Sequence, residues 1–122
     1  MKHIGVYVAG PLYSSGEIME NVRTAIDVAA HLETLVIPDV MLSCFVPHAY
    51  VLTRQLVHPR THEHAQEWDD FWLLRCDALI VLPGYSRGTE HEIALAESSG
   101  VPVFRSLVDL IEWLMPAPEV LQ

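Results

Sequence analysis

Short apolar runs alternate along this chain with longer stretches whose apolar residues recur every three or four positions. Residues 3–9, HIGVYVA, are apolar and rich in β-branched side chains, and they stop at Gly10-Pro11; they predict a buried strand ending in a turn. Within residues 17–33, Ile18, Val22, Ala25, Ile26, Ala29 and Leu32 fall at helical spacing and predict an amphipathic helix. LSCFVP (42–47) predicts a second strand closed by Pro47, while LVIP (35–38) is ambiguous and His48 to Arg60 reads as a loop with at most one helical turn. A helix over 61–76, a strand over 78–82 (ALIVL), a helix over 88–99 closed by Gly100, a strand over 101–104 and a helix over 106–115 complete the pattern.

Strand and helix alternate from end to end. Apolar strands separated by amphipathic helices require a parallel sheet covered on both faces, an α/β sandwich of four or five strands. Ligands of such folds bind where the carboxyl ends of the strands open into loops. That rim selects GPLYSSG after the first strand, PHAY after the second and PGYSRGT after ALIVL.

Composition narrows the class. A chain of 122 residues that is 51% apolar and 19% charged has enough core for one domain, expected over residues 1–115, with PAPEVLQ (116–122) as a loose tail. The net charge of −9 argues against a nucleic acid partner, whose backbone the average surface would repel. Cys44 and Cys76 are too few for a disulfide framework and form no CxxC pair, so they read as buried, reduced thiols. The first residues, MKHIGVYVAG, are interrupted too soon for a signal peptide, and no apolar run approaches the ~18 residues that cross a bilayer. The expectation is a cytoplasmic protein with no membrane partner.

Two carboxylates disagree with the polarity of their helices. At about 100° per residue, Ala65, Trp68, Trp72, Leu73 and Cys76 share the buried arc of the helix over 61–76, and Asp69 lies inside it, while Asp70 points away toward solvent. On the helix over 88–99, Glu92 falls between Leu95 and Ala96, whereas Glu90 shares a polar face with Glu97. A carboxylate on a buried stripe is expensive unless it is paired or needed. The competing explanation for Glu92 is a capping box, Thr89-x-x-Glu92, in which the glutamate returns to the backbone of its own helix start. Two carboxylates beside a Gly/Ser loop at one rim suit the breaking of a glycosidic bond, one attacking the anomeric carbon and the other managing protons. The loop amides and the positive helix end suit a phosphate or a sugar hydroxyl.

YVAGPLYSSG, DDFWLLRCDALIVLPG and SRGTEHEIALAESSGVPV, in that order over about residues 1–30 and 67–104, resemble the nucleoside 2-deoxyribosyltransferase-like superfamily. That resemblance implies a small flavodoxin-like three-layer α/β sandwich that cleaves the N-glycosidic bond of (deoxy)nucleosides or their 5′-monophosphates, by transfer or by hydrolysis. It implies no metal and no organic cofactor, a small-molecule nucleoside or nucleotide as substrate, and a homo-oligomer in which a neighbouring subunit helps close the site. By position, the family's nucleophilic glutamate, which ends a G-x-x-x-E helix start, falls on Glu92, with Gly88 as its glycine. The family's active-site aspartate, eight residues before the aspartate that precedes the central strand (here Asp77), falls on Asp69. The first-strand tyrosine and the following loop match Tyr7, Gly10 and Pro11. Transferases carry a further aspartate where this chain has Ser86, as in the branch that hydrolyses monophosphates. This makes Ser14, Ser15 and Arg87 candidate donors to a 5′-phosphate, with ordinary turn chemistry as their alternative.

PGYSRGTEHE is also similar to the PGGxGTxxE signature of cytokinin-activating phosphoribohydrolases, although a residue is inserted and the glycine pair is broken. A non-catalytic nucleotide- or ADP-ribose-binding module on the same fold is the other alternative, with Glu92 as a cap. Among the histidines, His58 and His62 are separated by Pro59, and His62 and His64 diverge on a helix, so neither pair has good metal-ligand geometry. His48 lies at a strand end on the predicted rim and is the better candidate for a substrate contact. His91 should face outward. Trp68 and Trp72 read as core or dimer surface rather than as a platform on which a base stacks.

Overall fold

The computed structural model describes residues 1–13, 16–50 and 61–115, apart from the side chain of His62. Four strands form one sheet: β1 (Lys2–Ala9), β2 (Val40–Phe45), β3 (Ala78–Val81) and β4 (Val103–Phe104). Among the described residues, four α-helices surround it: α1 (Ile18–Glu33), α2 (His62–Leu73), α3 (Arg87–Ser98) and α4 (Leu107–Leu114). A 3-10 turn, Pro47–Tyr50, follows β2. The strand order is β2-β1-β3-β4, and every pairing is parallel.

The period-2 alternation of the strands distributes two cores. Ile4, Val6 and Val8 of β1 and Ala78 and Ile80 of β3 point to one face, where they meet Ala25, Ala29 and Leu32 of α1 and Leu110 and Leu114 of α4. Tyr7 and Ala9 of β1 and Leu79 of β3 point to the other, against Leu73 of α2 and Ile93 and Ala96 of α3. The result is a three-layer, flavodoxin-like sandwich. Winding runs from β1 to β2 in one direction and from β3 to β4 in the other. Right-handed crossovers therefore place α1 on one face and α2 and α3 on the opposite one. The reversal falls between β1 and β3, and that is where an open α/β sheet has its ligand crevice.

Most expected elements stand within a residue or two of their predicted bounds. The second strand begins earlier than expected and ends at Phe45, because Pro47 opens the 3-10 turn. LVIP makes no strand; Ile37 forms one isolated bridge to Val40 across a turn in which Asp39 takes φ 60°. The expected loop over 48–60 is described only through Tyr50, and the tail expected over 116–122 lies outside the described residues. No helix among the described residues is long and apolar enough to cross a membrane.

Side chains finish the sheet. Asp77 Oδ2 accepts from the backbone N–H of Gly5 at 2.8 Å while its own N–H donates to the Gly5 carbonyl, joining β1 to the start of β3. Glu33 Oε1 accepts from the Cys44 N–H at 2.7 Å, satisfying a donor on the edge strand β2.

Both cysteines are free. Burial, then the charge of Glu33, pushes the Cys44 thiol from 9.0 up to about 12; burial, then Asp77, pushes Cys76 up to about 11. An unfolded chain therefore releases thiol protons near pH 9 that the folded chain keeps, and stability falls as pH rises through that value. Urea midpoints measured at pH 7.5, 9 and 10 should decline, and the decline should be shallower in C44A/C76A.

Candidate functional site

Three segments meet at the carboxyl edge of β1 and β3. Gly10, directly after β1, lies so close to the loop after β3 that a Cβ added there would stand 2.8 Å from Leu82 Cβ. Gly84 takes φ 108°, and its Cβ would lie 3.0 Å from Pro11 Cγ. The third segment is the 3-10 turn. His48, 3% exposed, brings Nε2 within 3.1 Å of the Gly10 carbonyl and 3.2 Å of the Pro11 carbonyl. Carbonyls only accept, so Nε2 carries the proton and donates to both. His48 is thus a pin that holds the Gly10-Pro11 turn, with this ring nitrogen committed to the backbone rather than to a substrate. Asn21 of α1 donates to the Leu12 carbonyl at 2.8 Å and fixes the far side of the same loop. Ser14 and Ser15 lie outside the described residues.

The start of α3 departs from the capping box, the competing explanation for Glu92. Its N-cap is Ser86, whose side chain accepts from the Thr89 N–H at 3.4 Å, and the helix begins at Arg87. Thr89 is therefore the third helical residue and Glu92 the sixth. A capping glutamate occupies the third position, so Glu92 is beyond the reach of that role. Ser86, which stands where the transferases carry an aspartate, accepts a bond from the helix start. Arg87 is exposed, and Gly88 packs against α2, its missing Cβ 3.4 Å from Gln66 Oε1.

Thr89, Glu92, Ile93 and Ala96 form the buried stripe of α3. Glu92 is 6% exposed while Glu90 is exposed, as the helical periodicity predicted. Thr89 is 3% exposed, and its hydroxyl has no hydrogen-bond partner among the described residues. A mid-helix threonine can bond back one turn, as Thr24 does to the Glu20 carbonyl. Thr89 sits too near the helix start for that, since the residue four before it, Tyr85, precedes the cap.

Asp69 is half-buried on α2, and Tyr7, fully buried, projects from β1 into the layer shared by α2 and α3. The three expected catalytic side chains thus lie on one face of the sheet. Asp70 corrects the sequence reading. It is a quarter exposed and bridges the two helices, accepting from His91 Nε2 at 2.9 Å and from Gln66 Nε2 at 3.2 Å. His91 faces outward only in part, because α3 lies beside α2 and supplies the partner that a single-helix wheel omits.

An aromatic group at the end of β2 also went unread. Phe45 stacks on Tyr7 at 5.6 Å, on Tyr50 at 5.7 Å and on Trp72 at 5.4 Å between centroids, and Trp68 leans on Phe45 and Tyr50. Tyr50 is 42% exposed and Trp72 37%, so the group has an open side. The signal was present as Phe45, Tyr50, Trp68 and Trp72, but nothing in their spacing joins β2 to α2. Among the histidines considered for a metal, His64 is exposed, and His58 and the side chain of His62 lie outside the described residues. No group of three or more His, Cys, Asp or Glu is placed to hold a metal ion among the described residues.

A family model described as "Domain of unknown function (DUF1937)" matches residues 5–107, and the chain belongs to that family. No curated protein matches it significantly. Among solved structures, it is similar to a conserved protein from Enterococcus faecalis V583, with a TM-score of 0.61 and 21% identity. The likeness covers 83% of this chain and 61% of that one, and at this identity it bears on the fold alone.

The contact between Gly10 and Leu82 generates a stability prediction. G10A forces the two loops apart and should lower unfolding free energy by about 1–3 kcal/mol, measured by urea denaturation, with G16A as a reference that meets no neighbour within 4 Å but is strained at φ 75°.

Proposed function

We propose that this DUF1937 member cleaves the N-glycosidic bond of a nucleoside or nucleoside 5′-monophosphate, with Glu92 as the nucleophile. The observation that carries the reading is the placement of Glu92: a carboxylate 6% exposed, on the inward face of α3, with the capping role filled by Ser86. A carboxylate is costly to bury unless it is paired or needed, and with the cap assigned to Ser86 a chemical use is the account we favour. The resemblance of the ordered motifs to the nucleoside 2-deoxyribosyltransferase-like superfamily points to the same residue.

In this reading a Glu92 oxygen attacks C1′ of the sugar, forming a glycosyl ester as the bond from C1′ to the base nitrogen breaks. The electron pair leaves with the base, which takes a proton from Asp69 or from water. Water, or a second base, then displaces the carboxylate from C1′, and two inversions give net retention. Tyr7 and Asp69 orient the carboxylate from β1 and α2. The open side of the Phe45, Tyr50, Trp68 and Trp72 group offers a flat apolar wall for a planar base. The α3 start, with Arg87 beside it, suits a 5′-phosphate, and a second subunit would complete the enclosure.

A panel of nucleosides and 5′-monophosphates, assayed by chromatography for free base, tests this. At least one member should release base; E92Q should lose at least ~10³-fold in kcat, and E90A should stay within about threefold of wild type. Equal losses in E92Q and E90A, or no base from any substrate, would refute the assignment. Binding without turnover would favour a nucleotide-binding module instead.

A further inference from the structure

The solvent edge of the seam between α2 and α3 carries a short hydrogen-bonded chain. His91 Nε2 donates to Asp70 Oδ2 at 2.9 Å, and Gln66 Nε2 donates to Asp70 Oδ1 at 3.2 Å, so both carboxylate oxygens are used. Gln66 Oε1 lies beside Gly88, the second residue of α3, where an added Cβ would stand 3.4 Å from it. The two helices meet at two levels, at Gln66 beside Gly88 and at the upper tie, the bond between Asp70 and His91.

Each end of the upper tie is the chain neighbour of a candidate reacting group. Asp70 follows Asp69, and His91 precedes Glu92. Consecutive Cα atoms are held ~3.8 Å apart by covalent geometry, and each helix is internally hydrogen-bonded. The spacing of Asp69 from Glu92 across the seam must follow the spacing of Asp70 from His91. Neither Asp70 nor His91 needs to touch a substrate for this to matter.

We propose that Asp70 and His91 are positioning residues whose hydrogen bond sets the separation of Asp69 and Glu92. The proposal rests on the reading of Glu92 as nucleophile given above. A half-exposed pair of this kind adds little to global stability. Reacting groups are more demanding, since a misplacement of about 1 Å can cost ~10²-fold in rate.

A swap separates this role from simple surface chemistry. D70H leaves two imidazoles facing each other and H91D leaves two carboxylates, whereas D70H/H91D restores one donor and one acceptor with their ends exchanged. Each single variant should lower kcat for base release about 5- to 20-fold, with KM within about twofold of wild type. The double variant should recover kcat to within about threefold of wild type. Single variants within about twofold of wild type, or a double variant no faster than the slower single, would overturn the positioning role and leave the assignment of Glu92 standing. Losses that merely track the fraction of folded protein, read by circular dichroism, would overturn it too. A wild-type protein that releases no base from any substrate overturns both.

Discussion

Everything at the rim of this sheet depends on how closely β1 and β3 bring their following loops together. Gly10 has no room for a methyl group against Leu82, and Pro11 fills the space beside Gly84. This contact falls at the reversal of winding, where β1 and β3 send their following helices, α1 and α3, to opposite faces of the sheet. These contacts hold the turn after β1 against the loop that leads from β3 to α3. His48 adds a second constraint from the 3-10 turn by donating to the Gly10 and Pro11 carbonyls. The buried stripe of α3, packed on the sheet through Ile93 and Ala96, begins just beyond these contacts, and Glu92 is part of that stripe.

The fold was largely legible because its signals are local. Strands of period 2 and helices of period 3.6 alternate, and the alternation alone dictates a covered parallel sheet. Glu92 and Glu90 were separable for the same reason, since an angle of about 200° between their directions follows from helix geometry. What escaped the sequence is what two elements do to each other. Asp70 points away from the core of its own helix, but α3 stands beside it with His91 in reach. His48 was read at the correct edge, yet its partners are carbonyls, which no side-chain pattern advertises.

The capping box, the rival reading of Glu92, fails for a different reason. SRGTEHE offers two helix starts three residues apart, one capped by Ser86 and one a box from Thr89 to Glu92. Composition favours the second, which ends in a glutamate. The backbone selects the first: Ser86 is extended at φ −154° and ψ 134°, and the helix begins at once after it. One extra turn of helix then carries Glu92 away from the cap and onto the inward face.

That extra turn also changes what the buried carboxylate costs. At the third position Glu92 would lie among the free N–H groups of the helix start, where such charge is stabilised locally. At the sixth position the backbone donors are already engaged in the helix, and the favourable field of the macrodipole has begun to fall away. A leucine at this point would extend the stripe formed by Ile93 and Ala96 and gain apolar burial. The fold instead retains an acid there, with Thr89, another inward polar residue, one turn before it. Two polar side chains on one buried stripe, at the end of the helix that faces the crevice, are hard to explain by packing. They are explained if the stripe changes purpose along its length: Ile93 and Ala96 hold α3 on the sheet, and the first turn and a half faces a ligand.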